Sequence, residues 1–201
     1  MKKHFALILL LFSSVLFAQN NNTKKSKELE FMVNGRIQAL YPIPFGDNAL
    51  AKAHKPRLGF SGQLNLLDFQ NFKAGLGIDF VTYDITDKML IANKNTSKYT
   101  SYYLLISYEY KPSKKIYINP NIGWGSASLD IDSRNSRFGG QSGSEFRIGG
   151  ILDYKIGKST YVFGGINYVI NKFDIETSPE YKSFFSKANQ IQLSLGLRLG
   201  N

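Results

Sequence analysis

Cysteine is absent from this chain of 201 residues. Disulfide scaffolds, thiol nucleophiles, cysteine metal sites and an acylated lipoprotein anchor are therefore excluded. Histidine is also scarce, with two in the whole sequence, and the GxSxG turn of lipases does not occur. The stability of the chain must therefore come from packing and backbone pairing.

The main apolar run stands near the N-terminus and is too short to span a membrane as a helix. It extends from Phe5 to Phe17, whereas a spanning helix needs ~20 apolar residues. A basic start precedes the run and Ala18 follows it, which is the layout of a cleaved secretory signal peptide. We therefore assign residues 1–18 to a signal peptide and residues 19–27 to a polar linker.

Acidic residues are outnumbered by basic ones, with 15 against 25. Basic proteins often bind nucleic acid, but that function requires the charges on one face with interleaved aromatic residues. Here the lysines are dispersed over the N-terminal linker and short connections such as 111–115 and 155–158. We expect no nucleic-acid partner, and a solvated edge or a contact with anionic lipid headgroups instead.

A two-residue alternation of apolar and polar side chains recurs along the rest of the chain. The last stretch, QIQLSLGLRLGN, puts isoleucine and leucine on one face and glutamine, serine, glycine and arginine on the other. Because side chains of a strand point alternately to opposite faces, this period predicts β-structure. Each predicted strand has roughly the ~9 to 11 residues that cross a membrane at a tilt. The eight strands are 29–41, 57–67, 72–83, 100–110, 116–126, 144–154, 160–170 and 190–201.

The connections between these strands alternate in length. Those after the second, fourth and sixth strands are short, and the others are long, at 42–56, 84–99, 127–143 and 171–189. This alternation is typical of an up-and-down meander with one tight end and one open end. Since no helix long enough to cover the sheet is predicted, closure into a barrel in lipid is what buries the apolar faces and removes both edges.

Alternation alone does not show whether the apolar face points outward, because a soluble lipocalin-type barrel alternates as well, with its apolar face inward. The composition of the two faces decides this. The polar faces carry small groups such as Gly75 and few charges, which suits a narrow lumen better than a water-facing exterior. The apolar faces carry aromatic rings toward the strand ends, as at headgroup depth in a membrane. Thr82, Thr100 and Pro120 are exceptions on or near that face. The predicted fold is an all-β, eight-stranded antiparallel up-and-down transmembrane β-barrel over residues 28–201.

These features resemble the small outer-membrane β-barrels of the OmpX and OmpA transmembrane-domain kind, a broad porin-like family. The resemblance covers residues 28–201 and includes Gly-rich strand centres such as AGLGIDF, RIGGILDY and FGGINY and a terminal strand at the C-terminus. It implies a Gram-negative outer membrane, insertion by the barrel-assembly machinery and long loops that face outward. The ending Leu199, Gly200 and Asn201 departs from the aromatic final residue of many members.

Ionisable residues on the polar faces form the candidate site, a polar network in the barrel interior. Counted from the tight end, a lower layer is expected to hold Glu30, Lys73, Glu109, Asp153 and Arg198, and an upper layer Arg36, Asp79 and Arg147. Unpaired charges there would cost several kcal/mol each, so we expect pairs, with Arg198 joined to Glu30 across the closing seam. Eight strands leave an interior that side chains just fill, which favours a structural plug over a gated path for protons or ions.

An enzyme on this scaffold would need a histidine and a serine with an acid, either at the outer rim or on the lipid-facing surface. His54 stands in the first long loop with Asp47 and Ser61 near it in sequence, but a lone loop histidine is more often solvent-exposed than catalytic. We predict no enzyme, no catalytic residue and no cofactor. A lipid A-modifying enzyme, a narrow pore for ions or small solutes and a periplasmic ligand-binding barrel stay as alternatives.

Two outer loops carry further signals. The segment TSPEYKSFFSKA predicts a short amphipathic helix, with Tyr181, Phe184 and Phe185 on one face as candidates for contact with the membrane rim or a partner. Asp130 and Asp132 alternate like part of a calcium loop. The glycine and the distal glutamate of an EF-hand are misplaced, so we expect no metal.

The sequence patterns predict a monomeric barrel exported by its signal peptide, and the family resemblance implies the cell outer membrane as its location. Its expected role is structural, or in surface interaction through the long outer loops. Expected partners are outer-membrane lipid and lipopolysaccharide, the barrel-assembly machinery and an unidentified extracellular protein.

Overall fold

The structure, a computed structural model, describes residues 29–91, 95–133 and 136–200. The predicted signal peptide and linker lie outside these residues. The described part of the chain forms nine strands and two helices. In chain order they are β1 Glu30–Phe45, α1 Ala49–Ala53, β2 His54–Pro56, β3 Gly59–Phe69, β4 Phe72–Ile85, β5 Thr96–Tyr108, β6 Ile116–Ser133, β7 Ser136–Lys155, β8 Thr160–Asp174, α2 Pro179–Ser186 and β9 Lys187–Leu199.

Eight of these strands, β1 and β3 to β9, form one closed antiparallel sheet. Each pairs with the next along the chain, and β1 pairs with β9 to close the cylinder. The stagger of the sheet can be measured by tracing each residue to its partner on the neighbouring strand, all the way round the barrel. A path that starts at Leu199 of β9 returns to β9 at Asn189, which is ten residues earlier in the chain. The strands are therefore tilted against the barrel axis, as closure requires. The prediction of an eight-stranded up-and-down barrel is confirmed.

The exterior of the barrel is apolar along the middle of the strands. One circuit of cross-strand pairs places on this face Gly35, Leu64, Leu76, Leu104, Trp124, Phe146 and Ile170. The side chains of Leu104 and Trp124 are 62% and 68% exposed. Residues on either side of these in sequence point inward, because strand side chains alternate. The period in the sequence thus sorts apolar groups outward and polar groups inward.

One end of the barrel, which we call the short-turn end, carries brief connections and both termini of the barrel strands. β3 and β4 are joined there by Gln70 and Asn71, whose φ angles are 52° and 79°. Two consecutive left-handed residues give the kind of two-residue turn that matches the twist of a hairpin. The opposite end, the long-loop end, carries the other four connections.

The long connections are shorter than predicted, because the strands extend into them. The third, predicted at 127–143, is instead a hairpin in which β6 and β7 stay paired as far as Ser133 and Ser136. Leu129 and Ile131 continue the two-residue period there, but the polar, glycine-rich composition is typical of a loop. The prediction of an open third loop was wrong.

The first long connection folds back over the long-loop end. The side chain of Asn48 accepts a hydrogen bond of 3.0 Å from the Ala51 amide and so caps α1. β2 then pairs with the end of β4, where His54 lies opposite Ile85. Neither helix of the described ranges is long and apolar enough to cross a membrane.

The interior at the long-loop end is apolar, which the sequence patterns did not predict. Leu50 of α1 packs here against inward-facing side chains of the extended strands. The buried members of this apolar cluster are Leu40, Leu50, Val81, Tyr83, Tyr99, Ala127, Leu129, Phe173 and Ala188. Because α1 covers these positions, inward-facing residues there meet protein and not water.

Candidate functional site

The barrel interior holds two groups of polar and charged side chains, all of them buried. The inner-end network, toward the short-turn end, consists of Arg36, Lys73, Glu109, Asn119, Asp153 and Arg198. The outer-half network consists of Asp79, Tyr99, Tyr103, Glu145 and Arg147. All members except Glu109, which follows β5, stand at inward-facing positions of the strands.

Arg198 connects the two carboxylates of the inner-end network. Its Nη1 donates to Asp153 at 2.5 Å and to Glu109 at 3.0 Å. Lys73 Nζ donates to Glu109 at 2.7 Å, and Arg36 Nη2 donates to Asp153 at 3.0 Å. Since these residues come from four strands and from the connection after β5, the network links distant parts of the wall across the lumen.

Aromatic rings flank the guanidinium groups of this network. The Arg198 guanidinium lies 4.2 Å from the ring centre of Tyr161, and that of Arg36 lies 5.7 Å from the ring centre of Phe163. A cation within ~6 Å of a ring centre is attracted by the ring face, most strongly where water is excluded. The rings therefore stabilise the cations that the carboxylates neutralise.

Arg147 is the centre of the outer-half network. Its Nη2 donates to Asp79 at 2.8 Å and its Nε donates to Glu145 at 2.8 Å. Its guanidinium lies 3.3 Å from the ring centre of Tyr103. The hydroxyl of Tyr103 donates to Asp79 at 3.1 Å, and the hydroxyl of Tyr99 donates to Glu145. Each of these carboxylates thus accepts from both a cation and a phenol.

The charges of the two networks cancel. The cations are Arg36, Lys73, Arg147 and Arg198, and the carboxylates are Asp79, Glu109, Glu145 and Asp153. Removing one partner of such a buried pair leaves an uncompensated charge and typically costs about 3–5 kcal/mol. The arrangement therefore holds strands together, and an ion crossing the lumen would have to displace these pairs.

The structure buries seven of the eight residues predicted for the interior, six of them in the predicted layer. Arg36, expected in the upper layer, belongs to the inner-end network through Asp153. Because the strands are tilted, residues at similar sequence distances from the tight end of two strands lie at different heights. Sequence counting alone therefore assigned Arg36 to the wrong layer.

Glu30 is the residue that the interior prediction misplaced, since its side chain is exposed. β9 ends at Leu199, which lies opposite Gly35 of β1. The residues of β1 before Gly35 are therefore paired with β3 on one side but not with β9 on the other. Arg198 lies opposite Arg36 in the register and binds two other carboxylates. The expected salt bridge between Arg198 and Glu30 is thus replaced by pairs across the lumen.

Glu145 is a charged residue of the outer-half network that the sequence patterns missed. It stands two residues before Arg147 on β7, so the alternation places both side chains on one face. That signal was present in the sequence, but the residue lies next to the segment assigned to the third loop. Tyr103 carried the same signal, because the alternation in the predicted strand 100–110 places it inward, whereas Tyr99 stood in the segment predicted as the second long loop.

His54 is buried and does not meet the two residues near it in sequence. The Ala49 carbonyl can only accept, so His54 Nδ1 donates to it at 3.1 Å, and Nε2 accepts from the Ser97 hydroxyl at 3.1 Å. Burial lowers the pKa of His54, and the hydrogen bond to Ala49 opposes this in part. Ser61 instead accepts from Gln38 at 2.8 Å inside the barrel, and Asp47 is exposed.

Ser97 and His54 form a serine and histidine pair without a carboxylate on the other ring nitrogen. Ser97 has no exposed surface, and it lies beneath the folded first connection. A nucleophile needs access to substrate and a base that a third group orients. The pair as built is a hydrogen bond that holds β2 against β5.

The sequence matches the family described as outer membrane protein beta-barrel domain over residues 5–198. This chain belongs to that family. The match spans nearly the whole chain and agrees with the closed, externally apolar cylinder. The barrel is accordingly an outer-membrane barrel, and its apolar exterior is the surface that faces lipid.

Two solved outer-membrane barrels share this fold at low sequence identity, and a third was also matched. Neisserial surface protein A is 12% identical, with a TM-score of 0.59 over 87% of this chain and 99% of that one. The outer membrane protein AlkL in lipid bilayers is 14% identical, with a TM-score of 0.52 over 91% and 96%. Ail of Yersinia pestis is 12% identical, with a TM-score of 0.45 over 84% and 99%. No curated protein matches the sequence.

The three loop residues singled out in the sequence lie on α2 at the long-loop end of this outer-membrane barrel. Tyr181 is 54% exposed, whereas Phe184 and Phe185 are half-buried with ring centres 5.1 Å apart. Phe185 lines a small cavity together with Ala188 and Leu129. Phe185 therefore contributes to packing over the barrel mouth, and Tyr181 is the member that faces the surroundings.

The predicted helix in that loop is present, although its start differs in detail. Pro179 stands in the first turn, but the side chain of Ser178 makes no capping hydrogen bond. Among the described residues, no group of three or more histidine, cysteine or acidic side chains is placed to hold a metal. The side chain of Asp132, half of the calcium-like pattern, lies outside the described part.

Proposed function

We propose that this outer-membrane barrel is a non-enzymatic surface protein whose long-loop end is presented outside the cell. The observation that carries the proposal is the filled interior, in which paired charges and the apolar cluster occupy successive levels of the lumen. A lumen filled in this way serves as a rigid support. The surface that remains for function is the one built by α1, α2 and the β6–β7 hairpin.

The absence of cysteine gives a direct test of orientation. Cysteine is introduced in separate variants, Lys182→Cys on α2 and Lys114→Cys at the short-turn end, both at exposed positions. In intact cells a membrane-impermeant maleimide should label the first variant, and the second only after the outer membrane is permeabilised. The reverse pattern would overturn the outward placement of the long loops.

A second experiment tests whether this surface contacts a protein. A photo-crosslinking amino acid replaces Tyr181 in one variant and Tyr154, on the lipid-facing surface near the short-turn end, in the control. Irradiation of living cells should give a discrete adduct from the first position and none from the second. If neither position gives an adduct, the interaction role is excluded for this surface and a structural role is retained.

The proposal also includes the lipid partner. The sequence has a net charge of +10, of which Lys2 and Lys3 of the predicted signal peptide contribute two. The remaining positive charge and the exposed lysines at both ends favour contact with anionic headgroups, such as the phosphates of lipopolysaccharide.

A further inference from the structure

Two threonines interrupt the apolar exterior near the long-loop end. Thr82 on β4 and Thr100 on β5 are half-buried and point outward. In the register Thr100 lies opposite Phe80, and Thr82 lies opposite Lys98. Closer to the middle of the barrel the same faces carry apolar residues, such as Leu104. The outward surface of these two strands therefore changes from apolar to hydrogen-bonding within a few residues.

This change occurs inside a groove of about 330 Å³. Its floor is apolar and strongly exposed, formed by Leu58, Phe60 and Phe80. Its upper wall contains the two threonines and Lys98. We call the six residues Leu58, Phe60, Phe80, Thr82, Lys98 and Thr100 the threonine groove.

Among the side chains that the structure describes, the surroundings of the threonine groove carry one more cation than carboxylates. Lys55, Arg57 and Lys98 are exposed there. Asp84 accepts from Arg57 at 2.6 Å and 3.0 Å, and Asp130 lies opposite Lys98 in the register. Three cations therefore face two carboxylates, one of which is already held in a bidentate pair. An anion at this place meets a net attraction.

We propose that the threonine groove binds lipid A of the outer leaflet through one of its phosphates. The acyl chain lies over Phe60 and Phe80, and the phosphate accepts hydrogen bonds from the Thr82 and Thr100 hydroxyls and from Lys98 Nζ. Phosphate oxygens form strong, charge-assisted hydrogen bonds with such donors. The inference rests on the proposed outward placement of the long-loop end, which puts this groove in the outer leaflet.

The chemistry of the groove selects a lipid over a protein or a soluble anion. Its floor belongs to the apolar exterior of the barrel, which only hydrocarbon wets. A soluble phosphate would leave that floor uncovered, and a soluble protein would have to enter the membrane to reach it. An amphiphile with a phosphate directly above its acyl chains matches both parts at once.

Matched double variants test the proposal. Thr82→Val with Lys98→Gln removes one hydroxyl and one ammonium from a cross-strand pair of the groove. Ser144→Ala with Lys172→Gln removes the same groups from an outward-facing pair on β7 and β8, outside the groove. Native mass spectrometry then counts the lipid A molecules retained by the full chain released from phosphatidylcholine nanodiscs doped with diphosphoryl lipid A.

The groove variant should retain at least tenfold less lipid A than the unmodified chain, and the control variant should stay within twofold of it. Equal loss in both variants would indicate diffuse attraction and would overturn the site, as would no loss in either. Heat-modifiable gel migration verifies that each variant is folded. If the double variant does not fold, the single variant Lys98→Gln replaces it, and we expect this variant also to retain less lipid A than the unmodified chain.

Two further arms identify the lipid. In the first arm, dephosphorylated lipid A replaces diphosphoryl lipid A. Equal retention of the two lipids would contradict the phosphate contact. Phosphatidylglycerol, if retained equally well, would contradict the assignment to lipid A. Both experiments use reconstituted protein, so their outcome does not depend on orientation in the cell. Failure of the groove is thus distinguishable from failure of the proposed outward orientation, which cysteine labelling measures.

Discussion

At the scale of single residues, inward-facing glycines allow neighbouring strands to approach in this narrow barrel. A Cβ built on Gly125 of β6 would lie 1.9 Å from the Tyr102 carbonyl oxygen. Backbone cannot yield as a flexible side chain does, so a larger residue there must part the two strands. By contrast, a Cβ on Gly150, which faces lipid, would have no neighbour closer than 3.9 Å.

Gly125→Ala should therefore impair folding, and Gly150→Ala should not. The first substitution forces β5 and β6 apart and weakens the hydrogen bonds between them. It should lower the free energy of unfolding by at least the ~1–3 kcal/mol typical of overpacking. Refolding yield in detergent and the urea midpoint, both followed by heat-modifiable gel migration, measure the effect. Equal yields and midpoints for the two variants would contradict the close approach.

Arg198 is the residue on which the inner-end network depends most, since it binds both of the carboxylates. Its replacement by alanine, Arg198→Ala, should lower the free energy of unfolding by about 3–5 kcal/mol, because Glu109 and Asp153 lose a shared buried partner. Planar-bilayer conductance should stay unchanged, since the other side chains still fill the lumen. Lys172→Ala, at an exposed position, is the control. A large rise in conductance of the Arg198 variant would contradict a structural plug.

At the scale of elements, α1 and β2 form a cap whose anchor is a buried histidine. His54 is hydrogen-bonded in its neutral form, and Tyr83 stands edge-on to its ring, with ring centres 6.1 Å apart. Its pKa is lowered by burial, so the folded cap resists protonation. When the cap opens, the imidazole returns to its ordinary pKa of about 6.5.

The cap should therefore be less stable in mild acid. Above about pH 7 the histidine is neutral in both states and the cap keeps its full stability; as the pH falls below about 6.5, only the open state gains a proton, so the opening free energy decreases. Amide hydrogen exchange across residues 49–56, corrected for the intrinsic rate, should show increasing opening between about pH 7 and 5.5. His54→Gln should lose this pH dependence, and persistence of it in that variant would exclude the histidine as its origin.

At the scale of the whole molecule, stability depends on closure. β9 pairs with β8 along one edge and with β1 along the other. Without β9 the sheet would have two open edges, whose unpaired amides and carbonyls cannot be satisfied in hydrocarbon.

A chain truncated after Ser186 should therefore fail to fold in lipid. We expect it to show no shift in heat-modifiable migration and to be degraded by protease in liposomes, while the full chain resists. A truncated chain that migrated as a compact, protected species would contradict the requirement for the closing strand.

The number and order of the eight barrel strands, and the face that most of their side chains occupy, are present in the sequence. A two-residue period is a local property, so each strand and its apolar face can be recognised alone. Alternating connection lengths then leave an up-and-down cylinder as the simplest closure. For the same reason the inward direction of residues such as Lys73 and Arg147 could be predicted.

The heights at which these residues meet are decided only by the tertiary structure. Tilt and register bring Arg36 to Asp153 and Arg198 to Glu109, far apart in the chain, and leave Glu30 beyond the wall. The apolar cluster and the buried His54 likewise depend on α1 folding back over the extended strands. The two-residue period along one strand determines whether a side chain points inward or outward. The residue that this side chain contacts depends on the shear of the closed sheet, which is a property of all eight strands together and cannot be read from one segment.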